Sequence, residues 1–136
     1  MSPSPPTVAP EDTLIATLGF ELLELGPERA TGRFSAADRV KQPLGLVHGG
    51  AFAAFAESLA SAATYEAVAS DGLIAVGLSN HTSFLRPILA GTVHAEGRRR
   101  HHGRTTWLWD VDFTDDEGRL CAVSRVTLAV RPAPDR

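Results

Sequence analysis

The segment from Gly49 to about Ala69 constrains this chain more than any other. It contains the run Ala51-Phe52-Ala53-Ala54-Phe55-Ala56, no proline and, from Gly49 to Tyr65, a single charged residue, Glu57. Alanine is the best helix former, so the segment predicts a helix, about 30 Å long at ~1.5 Å rise per residue. A helix that is apolar on nearly every face is expected to be buried on nearly every face. A chain of 136 residues must therefore wrap the rest of itself around that helix, or use a second copy to help.

The remaining sequence supplies the wrapping. Ile74–Phe84, Thr92–Arg100, Thr105–Thr114 and Arg119–Arg131 are rich in β-branched and aromatic residues, and Pro87–Gly91, His102-Gly103 and Asp115–Gly118 separate them as turns. From Trp107 to Phe113 every second residue is bulky and apolar, the period of a half-buried strand. Phe20–Leu25 and Arg29–Phe34 predict two shorter strands around Gly26-Pro27. Two strands, one helix and four antiparallel strands make an α+β fold, a sheet wrapped around one long central helix. The open edges of such a sheet, and the apolar helix beneath it, predict a homodimer at least.

Composition removes several classes. Hydrophobic residues are 43% and charged residues 21%, as in ordinary globular domains, and the lone Cys121 excludes a disulfide scaffold and reads as core packing. A net charge of -3 argues against a nucleic-acid partner, and no stretch reaches the ~18 apolar residues of a membrane span. Met1 to Pro10 holds four prolines and no basic residue, unlike a secretory signal. The expected organisation is a disordered lead-in over 1–12, one domain over 13–132 and a short tail over 133–136, in the cytoplasm.

The chemistry concentrates between Gln42 and Ser61. Glu57 has no Lys or Arg at helical contact spacing, because positions 53, 54, 60 and 61 are Ala, Ala, Ala and Ser. A buried carboxylate without a partner is costly, so a functional role is favoured over a helix-edge carboxylate reaching solvent. Ser61 lies one turn on, on the same face. His48-Gly49-Gly50 falls where the chain enters the helix, and the unpartnered N–H groups there, at the positive dipole end, suit a developing oxyanion. The histidines lack the spacing of a zinc site, Gly-x-Ser-x-Gly is absent, and no nucleotide fingerprint occurs. The basic run Arg98–Arg104 is either a solvated strand end or a contact for a phosphate-bearing small ligand.

These residues resemble a known family. Gln42–Ser61 (QPLGLVHGGAFAAFAESLAS), Ala75–Pro87, Thr105–Val111 and Gly118–Ser124 are similar, in that order, to segments of hot-dog-fold acyl-CoA thioesterases, the Arthrobacter-type 4-hydroxybenzoyl-CoA thioesterases foremost. The resemblance spans roughly Gly19 to Pro132. It implies a hot-dog fold, active sites at a dimer interface and a dimer-of-dimers tetramer. Glu57 matches the family's catalytic carboxylate, acting as nucleophile or as general base. Gly49 matches the residue whose backbone N–H polarises the thioester carbonyl. Gln42 and His48 match polar residues lining the site, and Ser61 stands where the aryl-CoA enzymes carry threonine. Arg86, Arg104 and Thr105 fall at or beside positions that contact coenzyme A.

Implied is hydrolysis of an aryl-CoA thioester, with coenzyme A as part of the substrate and no cofactor or metal. Gln42-Pro43-Leu44-Gly45 is closer to the 1,4-dihydroxy-2-naphthoyl-CoA branch, which makes that substrate, phenylacetyl-CoA or another acyl-CoA the alternative. A hot-dog dehydratase would pair the same His and carboxylate. A non-catalytic acyl-CoA-binding module has no need of Glu57 and the Ser61 hydroxyl.

Overall fold

In the computed structural model, which describes residues 6–134, six strands form one antiparallel sheet. They are β1 (Glu21–Leu25), β2 (Arg29–Ser35), β3 (Leu73–Phe84), β4 (Thr92–His102), β5 (Thr106–Thr114) and β6 (Leu120–Pro132), in the spatial order β1-β2-β4-β5-β6-β3. The sheet curls around one long helix, α2 (Gly49–Val68), and a one-turn helix, α1 (Leu14–Thr17), precedes β1. This is the hot-dog arrangement. Met1–Pro5 and Asp135–Arg136, the outer parts of the expected lead-in and tail, lie outside the described residues.

Alternation builds the core. Trp107, Trp109, Val111 and Phe113 all point inward from β5 and are buried. The Trp109 indole N–H donates to Thr64 Oγ1 at 3.0 Å, and the Thr64 hydroxyl donates to the Ala60 carbonyl at 2.8 Å, so one hydrogen-bonded pair ties sheet to helix in a dry interior. Near the other end of α2, Phe55 packs against Phe20 and Phe34, with ring centroids 4.9 and 5.4 Å apart. Gly32 permits that approach, since a Cβ there would stand 2.5 Å from Phe55 Cζ.

One expectation is corrected. The long helix is buried along one side, through residues such as Phe52, Phe55, Leu59 and Ala63, and not all round. Its opposite side, with Ala53, Ala54, Ser58, Ser61 and Ala62, is half-buried, and Glu57 is exposed. A sheet curling from β1 to β3 can close over only part of a helix, and the strip beside β3 is left open.

The two edges of the sheet differ. β1 is five residues long, is broken by a bulge at Leu23, and carries Glu21 and Glu24 in ion pairs with Arg33 and Arg29. Short, bulged, charged edges resist further pairing. β3 is twelve residues long, has no Lys, Arg, Asp or Glu, and exposes Val76 and Leu78.

Candidate active site

The loop entering α2 is a tight hairpin. The Gln42 amide donates to the Leu46 carbonyl at 2.9 Å and the Gly45 amide to the Gln42 carbonyl at 2.9 Å, with Gly45 at φ 93°. Gln42 Oε1 accepts the Leu44 amide, which orients the side chain and leaves its NH₂ free to donate to a ligand.

His48 is the N-cap of α2. Its Nδ1 accepts the Gly50 amide at 2.8 Å, so a neutral ring carries its proton on Nε2. With Gly50 occupied, the Gly49 N–H is left without a partner among the described residues, at the positive end of a 20-residue helix. The Phe84 ring lies directly over Gly49, where a Cβ would come within 2.7 Å of Phe84 Cζ. Any side chain at position 49 would displace that ring.

Two clefts meet at Phe84. One, of about 480 Å³, is lined by Gln42, Leu46, Gly49, Phe52, Phe84 and Arg86, among others. The other, of about 550 Å³, holds Glu57 together with Leu14, Ala53, Ser58, Asn80, Thr82 and Phe84. Each has the size of a small-molecule site. Cys121 also borders the first cleft. It is the extra residue of a bulge in β6, and burial raises its thiol pKa, so the thiol is protonated and a poor nucleophile.

The carboxylate expected to be buried is exposed in the single chain, and it makes no hydrogen bond or ion pair with another described residue. It lies against Gly77, the residue of β3 just before a bulge at Leu78. Ser61 follows one turn later on the same strip of helix. Gly49 and Glu57 are eight residues apart on α2, a rise of about 12 Å. A donor and a carboxylate acting on one carbonyl must each come within about 3 Å of the reacting atoms, so the two do not converge within one chain.

The remaining sequence candidates also divide. Arg86 borders the Gln42 cleft. Arg104 and Thr105 occupy the exposed turn between β4 and β5, where the Val130 amide donates to the Thr105 carbonyl at 2.9 Å, whereas Arg86 donates its amide to the Cys121 carbonyl at 3.1 Å. Cys121 and Val130 stand about 30 Å apart along β6, so Arg86 and the Arg104–Thr105 turn are not brought together in one chain. Arg98 to Arg100 belong to β4. Arg98 pairs with Glu96, Arg99 stacks on Trp107 at 4.9 Å, and Arg100 pairs with Asp110 at 3.5 Å. Among the described residues no three His, Cys, Asp or Glu side chains cluster as metal ligands. Sequence reasoning missed Gly77, Asn80, Thr82 and Phe84, all on β3.

Comparison with known proteins places this geometry. The model of the Thioesterase superfamily matches residues 44–122. The proofreading thioesterase EntH of Cronobacter turicensis is 37% identical over 118 residues, covering 87% of this chain and 85% of that protein. Among solved structures, a variant of thioesterase PA1618 from Pseudomonas aeruginosa has a TM-score of 0.86 at 35% identity, covering 90% of this chain and 88% of that one. Thioesterase HI1161 from Haemophilus influenzae has a TM-score of 0.85 at 31% identity, covering 92% and 87%. No described helix is long and apolar enough to cross a membrane.

Proposed function

The chain belongs to the thioesterase superfamily and is a thioester hydrolase, and from that premise we propose that it cleaves aryl-CoA thioesters, 4-hydroxybenzoyl-CoA foremost, to the free acid and coenzyme A. The observation that carries the hydrolytic chemistry is the Gly49 N–H at the N-terminus of α2, facing a cleft with Gln42, while Glu57 stands on the same helix, both without a partner among the described residues; the aryl group rests on the resemblance of Gln42–Ser61 to the aryl-CoA enzymes.

The chemistry follows from these groups. The thioester carbonyl oxygen accepts from the Gly49 N–H, with the helix dipole behind it and the Gln42 NH₂ beside it. One such donor contributes about 3 kcal/mol to the tetrahedral transition state. Glu57 either attacks the carbonyl carbon, expelling the thiolate and leaving an acyl-enzyme anhydride that water hydrolyses, or takes a proton from water as that water attacks. Both routes consume one water and release acid and thiol. The Ser61 hydroxyl, one turn from Glu57, orients the water or the carboxylate. His48 keeps the helix start in register by capping Gly50. Arg86, Arg104 and Thr105 are assigned to the coenzyme A moiety.

The assembly in this proposal is a homodimer, and a dimer of dimers beyond it, with Glu57 of one copy facing Gly49 of the other. Its supports are the separation of Gly49 from Glu57 along one helix and the long, open, uncharged edge of β3. Two β3 edges pairing about a two-fold axis would continue the sheet and cover the open strip of α2. A cytoplasmic location fits a coenzyme A ester as substrate and a single free thiol.

The test is thiol release from 4-hydroxybenzoyl-, benzoyl-, phenylacetyl-, 1,4-dihydroxy-2-naphthoyl- and octanoyl-CoA by the wild type and Glu57→Ala. Expected is fastest turnover of 4-hydroxybenzoyl-CoA and a loss of 10²-fold or more, in order of magnitude, in the variant, which still binds coenzyme A. A preference for another thioester moves the acyl assignment. A fully active variant removes Glu57 from the chemistry, and dehydration without thiol release, or binding without turnover, overturns the hydrolase.

A further inference from the structure

The inner surface of β3 and β6 is not uniformly apolar. Asn80 and Thr82 of β3 and Ser124 of β6 form a continuous chain of hydrogen bonds in which each member is buried or half-buried, Ser124 being 4% exposed. The Asn80 Nδ2 donates to the Ala53 carbonyl at 2.8 Å, Thr82 Oγ1 lies 2.8 Å from Asn80 Oδ1, and Ser124 Oγ lies 2.8 Å from Thr82 Oγ1.

The direction of every proton follows. Because Asn80 presents its nitrogen to a carbonyl, its Oδ1 can only accept, and the Thr82 hydroxyl must donate to it. Thr82 then has no second proton, so Ser124 donates to Thr82. The chain therefore runs from β6 through β3 to a single helix carbonyl. In an α-helix that carbonyl, at position 53, is also the acceptor for the N–H of position 57. The chain ends on the turn that carries Glu57.

Stability gives no reason for this arrangement. A hydrogen-bonded buried polar set contributes little net, and apolar groups of the same shape in its place are commonly neutral or stabilising. The neighbouring inward positions of β6 are Ala122, Val126 and Leu128. The half of α2 beyond Ala60 is already fixed by Thr64 and Trp109. What lacks a fixture is Glu57 itself, whose carboxylate lies against Gly77 of β3 and has no hydrogen-bond partner among the described residues.

We propose that Asn80, Thr82 and Ser124 are positioning residues that pin the turn of α2 bearing Glu57, so that they set the rate of the chemical step and not the affinity for substrate. The inference rests on Glu57 being the catalytic carboxylate.

The test uses the full-length assembled protein and whichever thioester of the panel turns over fastest, with Asn80→Leu, Thr82→Val, Thr82→Ser, Ser124→Ala and Glu57→Gln measured together. Expected for Asn80→Leu is a fall in kcat of about tenfold, the scale of a sub-ångström misplacement, with KM within twofold at a temperature where the variant is fully folded. Thr82→Val, which removes one hydroxyl at nearly constant volume, should lose several-fold in kcat, and Thr82→Ser should restore most of what it loses. Amide hydrogen exchange at Glu57 should quicken in both Asn80→Leu and Thr82→Val. If Glu57→Gln is inactive while Asn80→Leu and Thr82→Val keep kcat within twofold, the relay is overturned and Glu57 stands. If Glu57→Gln keeps its activity, the catalytic reading of Glu57 is what fails. Should Asn80→Leu not fold, the contrast between Thr82→Val and Thr82→Ser decides alone, and equal kcat in those two overturns the relay.

Discussion

The Glu57 carboxylate rests on Gly77, where a Cβ would stand 3.1 Å from Glu57 Cδ and 3.2 Å from Oε2. The missing methyl of one strand residue thus sets how closely the carboxylate approaches the sheet. Gly77→Ala should leave the fold intact, because the end of a flexible side chain can shift by a few tenths of an ångström. The same shift is expected to lower kcat about tenfold with little change in KM. Steady-state kinetics beside a melting curve checks this, and wild-type kcat in a folded variant would remove the role assigned to that contact.

The separation of Gly49 and Glu57 along α2 predicts complementation between two dead variants. Glu57→Ala and Gln42→Ala, each nearly inactive alone, should regain activity when co-expressed. A mixed dimer then holds one site with both lesions and one with neither, which gives roughly a quarter of wild-type activity for random pairing. Co-purification through two different tags, followed by thiol-release assay, measures it. No recovery in a verified mixed dimer would mean that each chain builds its site alone.

Thr64 accepts the buried Trp109 N–H at 3.0 Å. Thr64→Val keeps the shape and strands that donor in a dry core, so it should cost about 1–3 kcal/mol of stability. Urea unfolding provides the number. The change lies on the covered side of α2, so kcat of the folded variant should hold.

Acid sensitivity has a local source at the start of β4. The Asp116 carboxyl is held below its ordinary value of 3.8 by the hydrogen bond to His94, at 2.8 Å, and then by the Thr92 amide, with burial opposing. A carboxyl whose native pKa is lowered contributes stability that is fully present above 3.8 and is lost as the pH falls through the native value. His94→Ala should therefore move the Asp116 titration up towards 3.8 and make the loss of stability below that pH shallower. The effect is modest because the pair is exposed. Side-chain carboxyl NMR titration follows Asp116 directly, and an unmoved titration would show that His94 does not hold it.

Much of this molecule is legible in its sequence. The six strands and the long helix begin and end within two residues of where composition and turn residues put them, because uninterrupted alanine, period-two alternation and Gly- or Asp-rich turns are local signals. The entry of the chain into the helix at His48-Gly49-Gly50 is equally readable, though not the hydrogen bond by which His48 caps Gly50. Three further things are not. The openness of the Glu57 strip depends on how far a sheet can wrap, which is a tertiary property. The inner face of β3 was hidden by its bulge at Leu78, which breaks the alternation, so that Asn80 and Thr82 look like surface residues in sequence. Phe84 gained its place from Gly49, thirty-five positions earlier, a contact that no local pattern encodes.

β3 presents Gly77, Asn80, Thr82 and Phe84 inward while its long uncharged edge stands open. In the proposed dimer the strand that frames the carboxylate is the strand that would hold the second copy. Specific activity then becomes a function of the protein's own concentration: dilution below the dissociation constant would silence the enzyme without unfolding it, and a substitution anywhere along β3 would have to be assayed at several enzyme concentrations before its effect on catalysis could be separated from its effect on assembly.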